Sequence, residues 1–415
     1  MKILSTTSLA LALALSAAGG SMLVSQPAFA KAAAPSYKLS DPVRKAVVAS
    51  QEALKKSDVA TATAQVNEAK AAIKTEDDRY VVGSQLYDIG KVTKDNKLQA
   101  EAIDTMLQSG RVDAASQPNF YLALGQLSYF AQDYAKAETA FDQAIKLNPN
   151  NRDLYALAAE TKYKMRKPTE AVDLIQRAAD LPDAAGTPVP QDWLARGIAI
   201  GVESKLAEPV TKLTYAWLTK YPNPTHWRDS LTIYRDLHTL DPDYELDMMR
   251  LQRAAGALRG ERDYVEYANA TYLRYPNEAK SVIDMAVRSG TLNLAQSRNA
   301  KELADIAAGK IAADKASLNT KVTTAKGAVS TADAYASYGE YGPAIDLYRK
   351  ALTMGGLDAN LVNTRLAVAL ASSGKKDEAK QVFASITGPR AALAHYWSIF
   401  LDQPAAAAAA PAATN

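Results

Sequence analysis

The apolar positions of this chain follow a helical rhythm, and the rhythm repeats. In DYAKAETAFDQAIKLNPN, Asp133 to Asn150, small and aromatic residues fall at Ala137, Phe141 and Ala144, followed by Pro149. Steps of three and four residues put such positions on one face of a helix. The next stretch, PTEAVDLIQRAADLPD, carries the same pattern at Ala171, Ile175 and Ala178, each 34 residues further on. Tyr121 and Tyr155 keep that step, as do Tyr129 and Tyr163. Near the C-terminus Ala344, Tyr348 and Ala351 stand at the same internal offsets, and Ala379, Phe383 and Ile386 follow one period of 35 later. A fixed period in this range predicts stacked units of two antiparallel helices, because one pair cannot cover its own apolar face. The small residues Gly125, Ala137 and Ala144 let helix axes approach, while Tyr121, Leu124 and Phe141 fill the space between units. No stretch alternates like a strand, so the predicted fold class is all-α.

These residues resemble the tetratricopeptide repeat (TPR) family. Over Asn119–Asn151, Tyr121-x2-Leu124-Gly125 stands for the W-x2-L-G element, Ala137-x3-Phe141 for A-x3-F, and Pro149 for the closing proline. One element departs: Ser128 occupies the expected aromatic position, with Tyr129 one place late. The resemblance is close over four repeats and faint between them. It implies an α-solenoid, a superhelix of antiparallel helix pairs, whose first helices line a concave groove that binds peptide segments.

Read along the chain, residues 1–30 form a signal peptide, 31–41 a linker, and 42–117 degenerate TPR-like helices. Residues 118–185 hold two clear repeats, 186–324 further degenerate helical repeats, and 325–402 two repeats plus a C-terminal capping helix. Residues 403–415, QPAAAAAAPAATN, form a disordered Ala/Pro tail. Asp41 is placed to cap a first helix that starts at Pro42. The segment DAAGTPVP, 183–190, is either a break between modules or a long inter-repeat loop. Tyr221-Pro222-Asn223, Asp241-Pro242-Asp243 and Tyr275-Pro276-Asn277 read as helix terminators, because proline lacks an N–H and restricts the residue before it. Residues 300–324 are rich in Ala, Lys and Thr and cannot be phased against the repeat.

Composition changes the picture mainly at the N-terminus. Lys2 is the only charge in the first thirty residues; Leu9–Ala18 is an apolar core and Ala28-Phe29-Ala30 an A-x-A cleavage site. Export with cleavage near Ala30 leaves 385 residues of formal charge +2 and no cysteine. The expected localisation is periplasmic or secreted, and the fold must rest on buried helix faces without disulfides. A nearly neutral chain gives no electrostatic case for nucleic acid. No apolar run after the signal is long enough to span a membrane, so stable membrane insertion is not expected.

Candidate chemistry is sparse. His226, His238 and His395 are the three histidines, and none has a metal-ligand spacing. His226 is either an exposed recognition group or a helix-start residue packed on a neighbour; His238 suits a helix C-terminus and His395 the capping helix. Asp77-Asp78 and Asp377-Glu378 suit acidic first turns of helices. Gly355-Gly356 reads as a helix stop. No phosphate loop or nucleophile motif occurs, and no cofactor, metal site or enzymatic activity is expected.

The expectation is a non-enzymatic scaffold or adaptor of the bacterial cell envelope that binds protein segments in the TPR groove. Helical positions facing away from the partner helix place Asn119, Leu122, Gln126, Tyr129 and Phe130 in that groove, followed by Asp153, Ala156, Glu160, Tyr163 and Lys164. Tyr129 and Tyr163 have a second reading as packing between units. The carboxylate-clamp type of TPR is excluded, since Leu122, Gln126 and Ala156 do not supply its Lys and Asn. Because the chain has 21 Tyr and four Trp, the alternative is a polysaccharide- or peptidoglycan-binding factor. A glycan-processing hydrolase is the more distant one. Trp193, Trp217 and Trp227 are expected in the core, and Tyr221 and Tyr275 in terminator motifs.

Overall fold

The computed structural model describes residues 37–183, 186–319 and 321–404. The expected signal peptide, the linker up to residue 36 and the tail from residue 405 lie outside the described residues. Among the described residues the regular elements are twenty α-helices and one 3-10 turn, with no strand element. Contacts divide the chain into two compact units, unit 1 up to Leu213 and unit 2 from Thr214.

Unit 1 contains α1 (Asp41–Lys55), α2 (Val59–Ala71), α3 (Glu76–Thr93), α4 (Asn96–Gln108), α5 (Gln117–Phe130), α6 (Tyr134–Leu147), α7 (Arg152–Lys164), α8 (Pro168–Asp180), α9 (Gln191–Glu203) and the start of α10 (Ala207–Lys220). They form five antiparallel pairs. The turn within each pair has the same construction. A residue with positive φ, Ser57, Lys94, Gln132, Arg166 or Lys205, stands just past the first helix, at intervals of 37, 38, 34 and 39 residues. The amide after it reaches back into that helix, as Asp133 N does to Ser128 O at 2.9 Å and Lys167 N to Lys162 O at 2.9 Å. This is the Schellman closure. Asp58, Asp95 and Asp133 then cap the second helix, accepting from the amides of Thr61, Leu98 and Lys136 at 3.0, 3.0 and 3.1 Å. One aspartate therefore helps end a helix and start the next. The intervals explain why the 34-residue period is clean only across the two middle repeats: the other junctions carry three to five extra residues.

The small residues act as the spacing predicts. Ala137 and Ala144 are fully buried beside Phe141. A Cβ on Gly125 would lie 2.5 Å from Phe141 Cε1, so only glycine lets α5 sit this close to α6. The degenerate pair α9/α10 repeats the device, with Gly197 against Leu213. At the N-terminus α1 begins one residue earlier than expected. Ser40 holds the cap position, and Asp41 is helical and pairs with Arg44. The segment before α1 is tied to α3: Tyr37 stacks on Tyr80 at 5.1 Å, and Ser40 N donates to Asp78 Oδ1 at 2.8 Å. Burial alone would raise the Asp78 pKa, but amide donors from Ser40, Lys74 and Thr75 outweigh it and hold the carboxyl below its ordinary value. The DAAGTPVP segment joins α8 to α9, which pack together, so it is an inter-repeat loop. Arg152 ties down its described parts and the residues just before it, donating to Asp183 Oδ1 at 3.2 Å and to the carbonyls of Thr187 at 3.0 Å, Leu181 at 2.9 Å and Pro182 at 3.1 Å.

Unit 2 contains the rest of α10, then α11 (Pro224–Leu237), α12 (Pro242–Ala254), α13 (Gly260–Thr271), α14 (Pro276–Arg288), α15 (Arg298–Ser317), α16 (Ala325–Ser337), α17 (Tyr341–Met354), α18 (Ala359–Ser372), α19 (Lys376–Ala384), the 3-10 turn Gly388–Arg390 and α20 (Ala391–Asp402). The pairs α16/α17 and α18/α19 bury Ala344, Tyr348, Ala351, Ala379, Phe383 and Ile386, the positions picked out by their spacing. Gly355 ends α17 with φ of +69°, as expected of a helix stop. The terminator prolines have a different emphasis from the one expected. Pro222 lies between α10 and α11 as a terminator should, but Pro242 and Pro276 stand in the first turn of α12 and α14, where a missing N–H costs nothing. The stretch that resisted phasing is largely α15, a single 20-residue helix that buries only Ala300, Leu303 and Ala307.

The last helix does more than cover its neighbour. Besides α19, α20 packs on the opening helices of unit 2. Tyr396 bonds Thr214 through its hydroxyl at 2.7 Å, and the Trp227 ring lies 6.4 Å from that of Tyr396 and 5.9 Å from that of Phe400. Trp227 Nε1 donates to Gln403 Oε1 at 3.1 Å. An open stack has contacts only between neighbours. Unit 2 also joins its two ends.

Candidate functional site on the first helices of unit 1

The first helices α5, α7 and α9 present a mixed aromatic and polar face. On α5, Asn119 is exposed, Leu122, Gln126 and Tyr129 are half-buried, and Phe130 keeps 55% of its surface exposed. On α7, Asp153 and Lys164 are exposed, Tyr163 is half-buried, and Ala156 and Glu160 are buried. A polar network crosses from helix to helix. Arg196 of α9 donates to Glu160 through Nη2 at 3.1 Å and through Nε at 3.3 Å. The same guanidinium lies over the Tyr163 ring at 4.6 Å, and the Tyr163 hydroxyl donates to Glu203 at 3.1 Å.

Tyr129 lies beside this network, edge-on to Phe130 at 6.0 Å and to Tyr134 at 5.5 Å. Burial, with the Glu160 carboxylate second, pushes its pKa up to about 12, so it stays a neutral hydroxyl. Burial and the bond to Glu203 raise Tyr163 as well. The structure thus brings Tyr129, Phe130, Glu160 and Tyr163 together, while Asn119, Leu122, Gln126, Asp153 and Lys164 lie on the same helices outside the bonded network. Sequence reasoning missed Arg196 and Glu203. The signal for them was weak, because the loop before α9 shifts its register and only Gly197 marks the motif there.

The other candidates are structural. His226 is buried, stacked on Trp217 at 4.1 Å, with Nδ1 2.6 Å from the Tyr221 carbonyl. His238 closes α11, its Nδ1 2.9 Å from Tyr234 O. The His395 ring lies tilted against that of Tyr215 at 4.2 Å, and burial lowers its pKa. Trp217, Trp227 and Trp397 are buried, which removes them as platforms for sugar rings, whereas Trp193, expected in the core, is only half-buried. Tyr275 is more than part of a terminator: it is buried and donates to Asp333 at 2.7 Å. Among the described residues no group of three or more His, Asp or Glu side chains is placed to hold a metal ion. None of the described helices is long and apolar enough to cross a membrane.

Unit 2 holds a second charged cluster that sequence reading did not find. Arg365 donates to Asp333 at 2.8 Å and to Asp243 at 3.0 Å, and Arg390 donates to Asp247 at 2.7 Å. Arg250 joins Asp247 at 2.9 Å to Glu278 at 2.8 Å, and Tyr267 and Tyr348 donate to Glu278 and Asp333 at 2.6 Å each. Burial opposes the charge on Glu278, yet Arg250 outweighs it and holds that carboxyl below its ordinary value. Arg365 does the same for Asp243. Each carboxylate is matched by a guanidinium inside the protein, which marks a structural ion-pair network.

Residues 118–151 match the family described as Tetratricopeptide repeat. No curated protein matches the chain. Among solved structures, it is similar to a tetratricopeptide repeat protein from Parabacteroides merdae, at 11% identity and TM-score 0.28, covering 80% of this chain and 100% of that one. It is similar to the TPR domain of P58(IPK) at 11% identity and TM-score 0.22, covering 86% of this chain and 97% of that one. For Naa15/Naa10 bound to HypK-THB the values are 12% and 0.29, over 84% of this chain and 63% of that one. The helices α5 and α6 fill the matched segment, and the helix pairs around them repeat its turn and its small-residue contacts. Residues 118–151 are a tetratricopeptide repeat, and the described residues around them are all-α, built from antiparallel helix pairs.

Proposed function

We propose that the protein is a non-enzymatic scaffold that binds an extended segment of a partner protein across the first helices α5, α7 and α9. The observation that carries this reading is Phe130. A large apolar side chain is left 55% exposed beside Tyr129, on a face whose polar groups are already ordered. Exposed aromatic side chains in such settings are the usual anchors of protein interfaces. The neighbouring Glu160–Arg196–Tyr163–Glu203 network fixes the face before a partner arrives, which lowers the ordering cost of binding. Asn119, Leu122, Gln126, Asp153 and Lys164 extend the same surface.

The setting we propose is the bacterial cell envelope, after export and cleavage near Ala30. The signal-like N-terminus supports it. In-cell crosslinking of the tagged chain, followed by mass spectrometry, tests both parts. A reproducible envelope protein that disappears with Phe130→Ala is the expected result. If capture is unchanged by Phe130→Ala, the binding face is elsewhere. If the recovered chain still begins at Met1, the export reading fails.

A further inference from the structure

The charges on the α5–α7–α9 face are not balanced, and the imbalance has a direction. Glu160 and Arg196 neutralise each other through two hydrogen bonds. Three other carboxylates lie on the face, Asp153, Asp192 and Glu203, against one further cation, Lys164. Asp153 and Asp192 are exposed and have no ion-pair partner among the described residues. They share a place in the architecture: each is the second residue of its first helix, α7 or α9. Asp153 precedes Glu160 by two helical turns, and Asp192 precedes Arg196 by one, so both stand on the face of the network. Phe130 lies at the opposite end, in the last turn of α5, level with Lys164 in the last turn of α7.

Asp153 and Lys164 are eleven residues apart on α7, about 16 Å at 1.5 Å per residue. An extended chain covers that distance in about five residues.

We propose that the face selects a cationic partner segment, one with an aromatic or branched apolar residue seated on Phe130 and Tyr129 and a Lys or Arg on Asp153 and Asp192, about six to eight residues away once the about 10 Å between neighbouring helices is added. This deepens the binding reading above and rests on it. The internal pairing of Arg196 with Glu160 is what sets the sign. With that guanidinium spent on Glu160, the face offers a partner carboxylate little beyond Lys164 and repels it through the remaining acids. Like charges across an interface reject wrong partners more strongly than opposite charges tighten right ones.

The test pans a phage-displayed library of random nine-residue peptides against the full chain. Recovered sequences are then measured by fluorescence anisotropy with the wild type, Phe130→Ala and the double variant Asp153→Asn/Asp192→Asn. All three altered side chains are exposed, and circular dichroism melts of the variants should overlay the wild type. Expected are peptides pairing an apolar residue with Lys or Arg about six to eight positions away. They should bind about tenfold more weakly to Phe130→Ala, as an anchor residue predicts. They should bind about fivefold more weakly to the double variant, with that difference vanishing at high salt. Acidic or neutral peptides that depend on Phe130 but not on the aspartates would overturn the charge proposal and leave the binding face standing. Peptides indifferent to both variants, or no peptides at all, would overturn both.

Discussion

In unit 1 a helix meets the helices before and after it, and the bond between Tyr163 and Glu203, 40 residues apart, spans one repeat. In unit 2 Arg390 reaches Asp247 across 143 residues, Arg365 reaches Asp243 across 122, and Tyr396 reaches Thr214 across 182. The helices are of the same kind in both units. What differs is whether the ends of the stack meet. Joining the ends brings charged residues of α12, α14, α16 and α18 into a water-poor interior, where they persist only as matched pairs. A linear stack keeps its first-helix face open, and there Phe130 and two unpaired aspartates remain in solvent. A short repeat can thus build either an accessible face or a closed core, depending on contacts made far outside the repeat.

The largest expected effect comes from breaking the closure. Asp247→Ala leaves Arg390 and Arg250 without their shared carboxylate and should destabilise unit 2 by about 3–5 kcal/mol. Hydrogen exchange should lose protection in α12, α18 and α20 and keep it in α1 to α8. Equal loss in both units would mean that the units unfold as one. Acid probes the same network. Because the folded pKa values of Glu278 and Asp243 are depressed, their contribution is fully present above the ordinary carboxylate range and is lost as pH falls out of that range and through the folded values. Three of the four tryptophans lie in unit 2, so the change should appear as a shift in tryptophan emission during acid titration.

A smaller effect tests the local repeat. Gly125→Ala drives a Cβ into the Phe141 ring and should cost about 1–3 kcal/mol, read by chemical denaturation. If α5 simply moves outward, the cost falls below that range and the interaction face of α5 shifts with it. The smallest effect compares the turns. Unit 1 places Ser57, Lys94, Gln132, Arg166 and Lys205 in the left-handed region, whereas turns of unit 2 place Gly339 and Gly374 there. Gln132→Gly should therefore stabilise unit 1 by about 0.5–1 kcal/mol, and Gly374→Ala should destabilise unit 2 by a similar amount. A neutral or destabilising Gln132→Gly would show that the Gln132 side chain compensates its backbone.

The sequence by itself determined the local unit. Ala137, Phe141 and Ala144 specify one helix face, the aspartates after Ser57, Lys94 and Gln132 punctuate the pairs, and Gly125 sets the approach of α5 to α6. These choices act over distances shorter than one repeat, so their periodicity is visible in the chain. Much of the candidate face could be placed by the same counting, since Tyr129, Phe130, Glu160 and Tyr163 follow from helical phase. The tertiary structure alone decided the rest. Arg196 enters the face only because α8 and α9 pack across a loop that breaks the period. Asp247, Asp333, Arg365 and Arg390 look like ordinary surface charges until α20 returns to α11. A charge carries no mark in the sequence of whether water or an oppositely charged partner will surround it, and that is settled by which distant helices meet.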